Sequence, residues 1–225
     1  MVDRTMGGWL PSDVRGAAGQ ANPMTGRSID FWFTMGSTYT FLTVSRIEDA
    51  ARAAGVSVRM RPFKSVGALT GAVQLPFLPG TAKMAYMWRD IARRADKLGL
   101  TVSLPAPYPG LSPSRANRVA TIGMREGWGA AFVRAAYRHW FESGIATGGE
   151  ENLRLALADC GQGDAANWII ALADRDEVAR EIDRATEEAR GLGVFGSPSF
   201  VVGREVFWGD DHLEDAIRWA QHGRL

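Results

Sequence analysis

The chain has 225 residues, 46% hydrophobic and 23% charged, which suits one sizeable globular domain or a small one carrying a large insertion. With 26 Lys and Arg against 25 Asp and Glu, the net charge of +1 gives no electrostatic reason for nucleic acid or an anionic membrane as partner. The single cysteine, Cys160, excludes an intrachain disulfide and a CxxC redox pair, and His139, His212 and His222 lack metal-ligand spacing, so no metal is expected.

Residues 1–27 are rich in Gly, Ala, Pro and polar residues and lack the basic start and apolar stretch of a secretory signal. They read as a flexible extension on a cytoplasmic protein. No run approaches the ~18 apolar residues of a membrane span.

The first regular element is predicted at Ile29–Met35, where aromatic and branched residues end at Gly36 in the manner of a buried strand. Ser37 then opens a helix through Tyr39, Leu42, Ile47, Ala50 and Ala54, stopped by Gly55. The alternation of Val56, Val58 and Met60 gives a second strand ending at Pro62. Strand, helix and strand form a βαβ unit, whose strands are parallel and whose crossover is right-handed.

From Gly80 the pattern turns helical, with Met84, Met87, Trp88, Ile91, Ala95 and Leu98 at three- and four-residue steps before Gly99. A proline-rich loop follows (Pro105, Pro107, Pro109 and Pro113). Further helices are expected over 114–125, 130–142, 150–158, 165–173 and 176–190. Strand character returns in Phe200–Val202 and Val206–Trp208, a hairpin about Gly203–Glu205. Asp210 or Asp211 can cap a last helix through Leu213, Ile217 and Ala220, and Asp211 with Glu214 has capping-box spacing. The order is that of an α/β, thioredoxin-like fold with an all-helical insertion. The core domain is assigned to 28–66 plus 176–225 and the helical insertion subdomain to 67–175.

Two places carry chemistry. At Gly36–Thr40 the backbone amides at a helix start favour an anion, and a hydroxyl there can donate to a thiolate; the plainer reading of Ser37 is an N-cap. At Gly193–Phe200 a proline enters a strand, either as an ordinary trans residue or as a cis bond that exposes the Ser197 amide and carbonyl to an extended ligand. Cys160 reads as a partly buried bystander and His212 as a surface helix residue. The stripe of Met84, Met87 and Trp88 suits either the core of the insert or one wall of an apolar pocket.

Asp30–Leu42 (DFWFTMGSTYTFL) resembles the D-F-Y-F-D-F-x-S-P-Y-S-Y-L opening of 2-hydroxychromene-2-carboxylate isomerases, relatives of the kappa-class glutathione transferases and the DsbA oxidoreductases. Arg61-Pro62-Phe63 is similar to that family's R-P-F. Lys83, Tyr86, Asp90 and Arg93 are similar to its K-x-x-Y-x-x-x-D-x-x-R helix. Gly193–Leu213 is similar to its G-V-F-G-V-P-T-F-x-x-G-x-x-x-W-G-x-D-R-L ending. The resemblance runs from Ile29 to the C-terminus.

What it implies is a glutathione-dependent isomerase of aromatic degradation, in which Ser37 holds the thiol where redox members of the fold keep a cysteine. Ser197 and cis-Pro198 would pair with the cysteinyl part of glutathione. Trp208, Gly209, Asp210 and Asp211 would grip its γ-glutamyl end, and Tyr108 would meet a small aromatic carboxylate substrate. On residue type alone, the aspartates also read as exposed helix caps and Tyr108 as loop packing. The alternatives are a kappa-type glutathione transferase or a catalytically silent binding protein; a homodimer is left open. Departures from the family pattern are Thr38 for Pro, Thr34 for Asp, Ala72 for Asn, and no clear counterpart, beyond Lys64, of the lysine that meets the substrate carboxylate.

Overall fold

The structure, a computed structural model, describes residues 27–71 and 75–225; the extension expected over 1–27, apart from Arg27, and the departure at Ala72 lie outside the described residues. The strands are β1 (Ser28–Phe33), β2 (Ser57–Pro62), β3 (Ser199–Val202) and β4 (Glu205–Trp208), in the sheet order β2-β1-β3-β4. β1 and β2 run parallel, pairing Ser28 with Ser57 through Phe33 with Pro62, whereas β3 is antiparallel to both β1 and β4.

Alternation along β1 divides the interior. Ile29, Phe31 and Phe33 join the larger apolar cluster on one face, and Trp32 joins Phe63, Leu69, Ala189, Val194 and Val201 on the other. The smaller cluster is closed by α3 (Val66–Thr70), a short helix not expected from the sequence, and by α9 (Asp176–Gly191).

The larger cluster continues into helices that follow β2 in the chain: α4 (Ala82–Lys97), α5 (Pro113–Glu126), α6 (Gly129–Phe141), α7 (Glu150–Asp159) and α8 (Ala166–Ala173). Phe41 stacks face to face on Phe141 of α6 at 4.3 Å, so the helices beyond β2 pack directly against the element that follows β1.

The helix expected to run unbroken from Ser37 to Ala54 is instead two pieces, α1 (Thr40–Val44) and α2 (Ile47–Ala53). Ser45 turns its hydroxyl back to the Phe41 carbonyl (2.8 Å), and Arg46 leaves helical geometry at φ −141°. That break aims the Arg46 guanidinium at Asp210, from which it gains two hydrogen bonds.

Ser37 does not cap α1. The helix starts at Thr40, and the Ser37 hydroxyl is directed to another part of the chain. Nor does Asp211 form a capping box with Glu214. Asp210–His212 make a 3₁₀ turn ahead of α10 (Leu213–His222), and Glu214 pairs with Arg46. Among the described residues no helix is long and apolar enough to cross a membrane.

Candidate functional site

Ser37 follows β1 in a tight turn closed by the Ser37 N–H on the Thr34 carbonyl at 3.0 Å. Gly36 permits the turn to lie against Pro113, since a Cβ there would sit 3.1 Å from that ring. The Ser37 Oγ–H donates to the Ser197 carbonyl at 2.8 Å, across a sequence gap of 160 residues. The Ser197–Pro198 bond is cis. Ser197 in turn accepts the Thr34 N–H on its Oγ at 3.0 Å and shares a 2.9 Å hydrogen bond with Thr40 Oγ1. The helix start and the proline loop are therefore joined directly, side chain to backbone in both directions.

The hairpin delivers the next group. Gly209 N–H donates to the Pro198 carbonyl at 2.9 Å, with Gly209 at φ +106°, where a side chain would be strained. Trp208, opposite Ser199 in the β3–β4 ladder, is 53% exposed and packs on Phe195 with ring centroids 5.1 Å apart. Solvent-facing aromatics beside the proline loop make an apolar rim to the site.

The two aspartates have different surroundings. Asp210 is buried, not an exposed cap, and its Oδ1 accepts from Thr43 Oγ1 and from Arg46 Nη2, each at 3.0 Å. Burial pushes its carboxyl up from the usual range, against the pull of the Arg46 guanidinium. Asp211 is 58% exposed by side chain, with Arg94 Nη2 4.0 Å from its Oδ2. Asp211 is thus the member of the pair open to a ligand; Asp210 is committed to holding α1 and α2 against α10.

Arg94 comes from α4 and donates to Asp90 at 2.9 Å. Asp90 also receives the Tyr39 hydroxyl (3.2 Å) and Arg93 (3.2 Å). Burial raises the Asp90 carboxyl, but the hydrogen bond from Arg93 and the Arg94 charge outweigh it and hold it below the usual range. For Tyr39, burial and then the Asp90 charge push the phenol well above its ordinary value, so it remains a neutral donor.

Tyr108 lies apart from the hydrogen-bonded group, in an aromatic cluster that extends to Tyr39, two residues beyond Ser37. Tyr39 packs on Phe77 at 6.3 Å, Phe77 meets Tyr108 edge-on at 6.4 Å, and Tyr108 meets Trp88 at 6.2 Å. Burial raises the Tyr108 phenol above its usual range. Thr38 is buried, with its hydroxyl 3.1 Å from the sulfur of Met87. Lys64 faces away, bound to Asp183 at 2.9 Å. Cys160 is half-buried with its Sγ on the Leu157 carbonyl, and burial pushes its thiol up. His212 pairs with Asp215 on the surface.

Sequence reasoning passed over Asn117, Tyr137, Thr40, Arg46 and Arg94. Asn117 is fully buried on α5, where Oδ1 accepts the Met35 N–H (2.7 Å) and Nδ2 donates to Thr34 Oγ1 and the Lys64 carbonyl (both 2.9 Å). An asparagine between Ala116 and the apolar Val119–Ala120 pair was a signal for it, since a buried amide must find partners.

A thioredoxin-like sheet, a cis-proline loop and a hydroxyl facing it define a thioredoxin-fold protein whose site holds no cysteine. The chain belongs to the DSBA-like thioredoxin domain family, whose family model matches residues 28–217. It is similar to the 2-hydroxychromene-2-carboxylate isomerase of Sphingobium xenophagum, 28% identical over 193 residues that cover 84% of this chain and 95% of the relative. The protein of the same name from Pseudomonas putida is 25% identical, covering 82% and 90%.

Among solved structures, a 2-hydroxychromene-2-carboxylate isomerase superposes with a TM-score of 0.71 at 24% identity, covering 84% of this chain and 91% of that one. The cytosolic disulfide reductase DsbM of Pseudomonas aeruginosa with GSH superposes with a TM-score of 0.62 at 16% identity, covering 86% and 95%. These structural likenesses speak to the fold.

Proposed function

We propose that the chain is a glutathione-dependent isomerase of the 2-hydroxychromene-2-carboxylate type. The observation that carries the reading is the 2.8 Å bond from Ser37 Oγ to the carbonyl before cis-Pro198, which sets a hydroxyl donor beside backbone suited to an extended thiol peptide. The names of its relatives and the glutathione-bound structure of a protein with the same fold support it.

Ser37 has one hydroxyl proton. When it turns to a thiolate it releases the Ser197 carbonyl, and the cysteinyl N–H of glutathione takes that acceptor. The free amides at the start of α1 add positive potential at the sulfur. Trp208, Gly209 and Pro198 would form the wall along the peptide, with Asp211 pairing with the γ-glutamyl ammonium. Asp210 would act behind them as a support. Tyr108 and its aromatic neighbours would receive the ring of a small carboxylate substrate.

In the reaction the thiolate sulfur adds to the electrophilic carbon of the conjugated substrate, and the electron pair of the double bond moves onto the carbonyl oxygen. The former double bond rotates as a single bond. Return of the electron pair expels the sulfur, so glutathione is regenerated and no atom is lost. Since Cys160 is half-buried with a raised pKa, the reactive thiol would be the cofactor's.

The engagement of Lys64 by Asp183 favours one second reading, a transferase in which glutathione leaves attached to an electrophile. Turnover on 2-hydroxychromene-2-carboxylate with catalytic glutathione decides between them. The isomerase reading expects many turnovers per thiol and an unchanged pool of free glutathione; one thiol consumed per product would replace it with the transferase, and no turnover with any electrophile would remove both.

A further inference from the structure

Tyr137, on α6, is fully buried, and its hydroxyl lies 3.0 Å from the Thr34 carbonyl and 3.0 Å from the Ser37 carbonyl, the two ends of the turn that carries Ser37. Burial pushes its phenol far above the usual range, so it keeps its proton and acts as a donor. Thr40, three residues beyond Ser37, shares a 2.9 Å hydrogen bond with Ser197 Oγ.

The Tyr137 proton is thus shared between the two carbonyls that bracket the turn. From that turn Ser37 Oγ donates to the Ser197 carbonyl.

We propose that Tyr137 is a positioning residue for Ser37, holding the Ser37 carbonyl and with it the backbone from which the Ser37 hydroxyl meets a bound thiol. The proposal rests on the reading of Ser37 as the thiol-holding group. A helix remote in sequence thus orients the Ser37 side chain by holding the Ser37 backbone carbonyl. With that carbonyl unheld, the turn keeps its own Ser37 N–H bond, the Asn117 grip on Met35 and Thr34, and the Ser197 grip on Thr34. None of these acts on the Ser37 peptide beyond its N–H.

The test compares wild type, Ser37→Ala, Tyr137→Phe and the double variant by ultraviolet titration of the thiolate of bound glutathione, with thermal unfolding run on each. Ser37→Ala is expected to raise the pKa of the bound thiol by about one to two units, the loss of one hydrogen bond to a charged acceptor. Tyr137→Phe should raise it by about half a unit while the protein stays folded, and the double variant should match Ser37→Ala alone, because the phenol acts only through that serine.

A bound-thiol pKa in Tyr137→Phe equal to that of wild type, or effects that add in the double variant, would overturn the proposal while leaving the role of Ser37 intact. A wild type that binds no glutathione, or a Ser37→Ala variant that titrates as wild type, would overturn both. Should Tyr137→Phe not fold, Tyr137→Met, which keeps an apolar side chain without the hydroxyl, is read by the same criteria.

Discussion

Replacing Asp210 by alanine tests whether the buried aspartate holds the site from behind. Its carboxylate is 4% exposed and accepts from Thr43 and Arg46 at 3.0 Å, with Arg94 Nη1 at 3.8 Å. Stranding the partner of a fully buried ion pair costs about 3–5 kcal/mol. Arg46 is 19% exposed and keeps its bonds to Glu214 and to the Asp210 backbone oxygen, so roughly 2 kcal/mol is expected from that part. The Thr43 hydroxyl, left without an acceptor, adds about 1 kcal/mol. The sum of about 3 kcal/mol lowers the thermal midpoint by roughly 6–12 °C for a chain of this size.

Asp211→Ala removes an exposed carboxylate 4.0 Å from Arg94 and is expected to change stability by less than about 0.5 kcal/mol. It should nevertheless weaken glutathione binding. Thermal unfolding of the two variants by circular dichroism reads the contrast. Equal midpoints for Asp210→Ala and Asp211→Ala would refute the division of labour between the neighbours.

Asp210 and Asp90 give opposite pH signatures. Burial raises the folded-state pKa of Asp210 above the usual aspartate value, so its protonated form favours folding, and its contribution is largest at low pH and is lost as pH rises through the raised pKa. Asp90 is held below the usual aspartate value, so its contribution is present above that value and is lost as pH falls through the lowered pKa. Thermal midpoints across the acid range should therefore show the wild-type advantage over Asp210→Asn growing on acidification and that over Asp90→Asn shrinking; the same slope for both would contradict the assignment. At Gly196 an added Cβ would lie 2.1 Å from Trp208 Nε1, so Gly196→Ala displaces the indole from Phe195. Calorimetry should then show glutathione affinity falling by about tenfold with a midpoint change of only a few degrees, whereas unchanged affinity would remove Trp208 from the ligand's path.

Much of the framework was legible in local pattern. Ile29, Phe31, Trp32 and Phe33 announced a strand buried on at least one side, which proves buried on both, and glycines such as Gly55 and Gly99 marked helix ends where φ is positive. The break between α1 and α2 was not legible, because the contact that goes with it, Arg46 on Asp210, is made 164 residues away. For the same reason the Asp211–Glu214 capping box failed: Glu214 had a better partner in Arg46.

Residues proposed to act by side-chain chemistry, such as Ser37 and Asp211, stood out through a family resemblance. Those that act by holding others, Asn117 and Tyr137, looked like ordinary members of apolar helix faces. Their meaning lies in which backbone groups the fold leaves within reach, and spacing along one helix carries no record of that.

The most direct test of the account is calorimetric titration of the wild-type protein and Ser37→Ala with glutathione, carried to millimolar ligand. The account predicts saturable heat for wild type and a thermal midpoint that rises with ligand, with clearly weaker binding in the folded Ser37→Ala variant. No heat and no thermal shift in wild type, or identical isotherms for the two proteins, would contradict it.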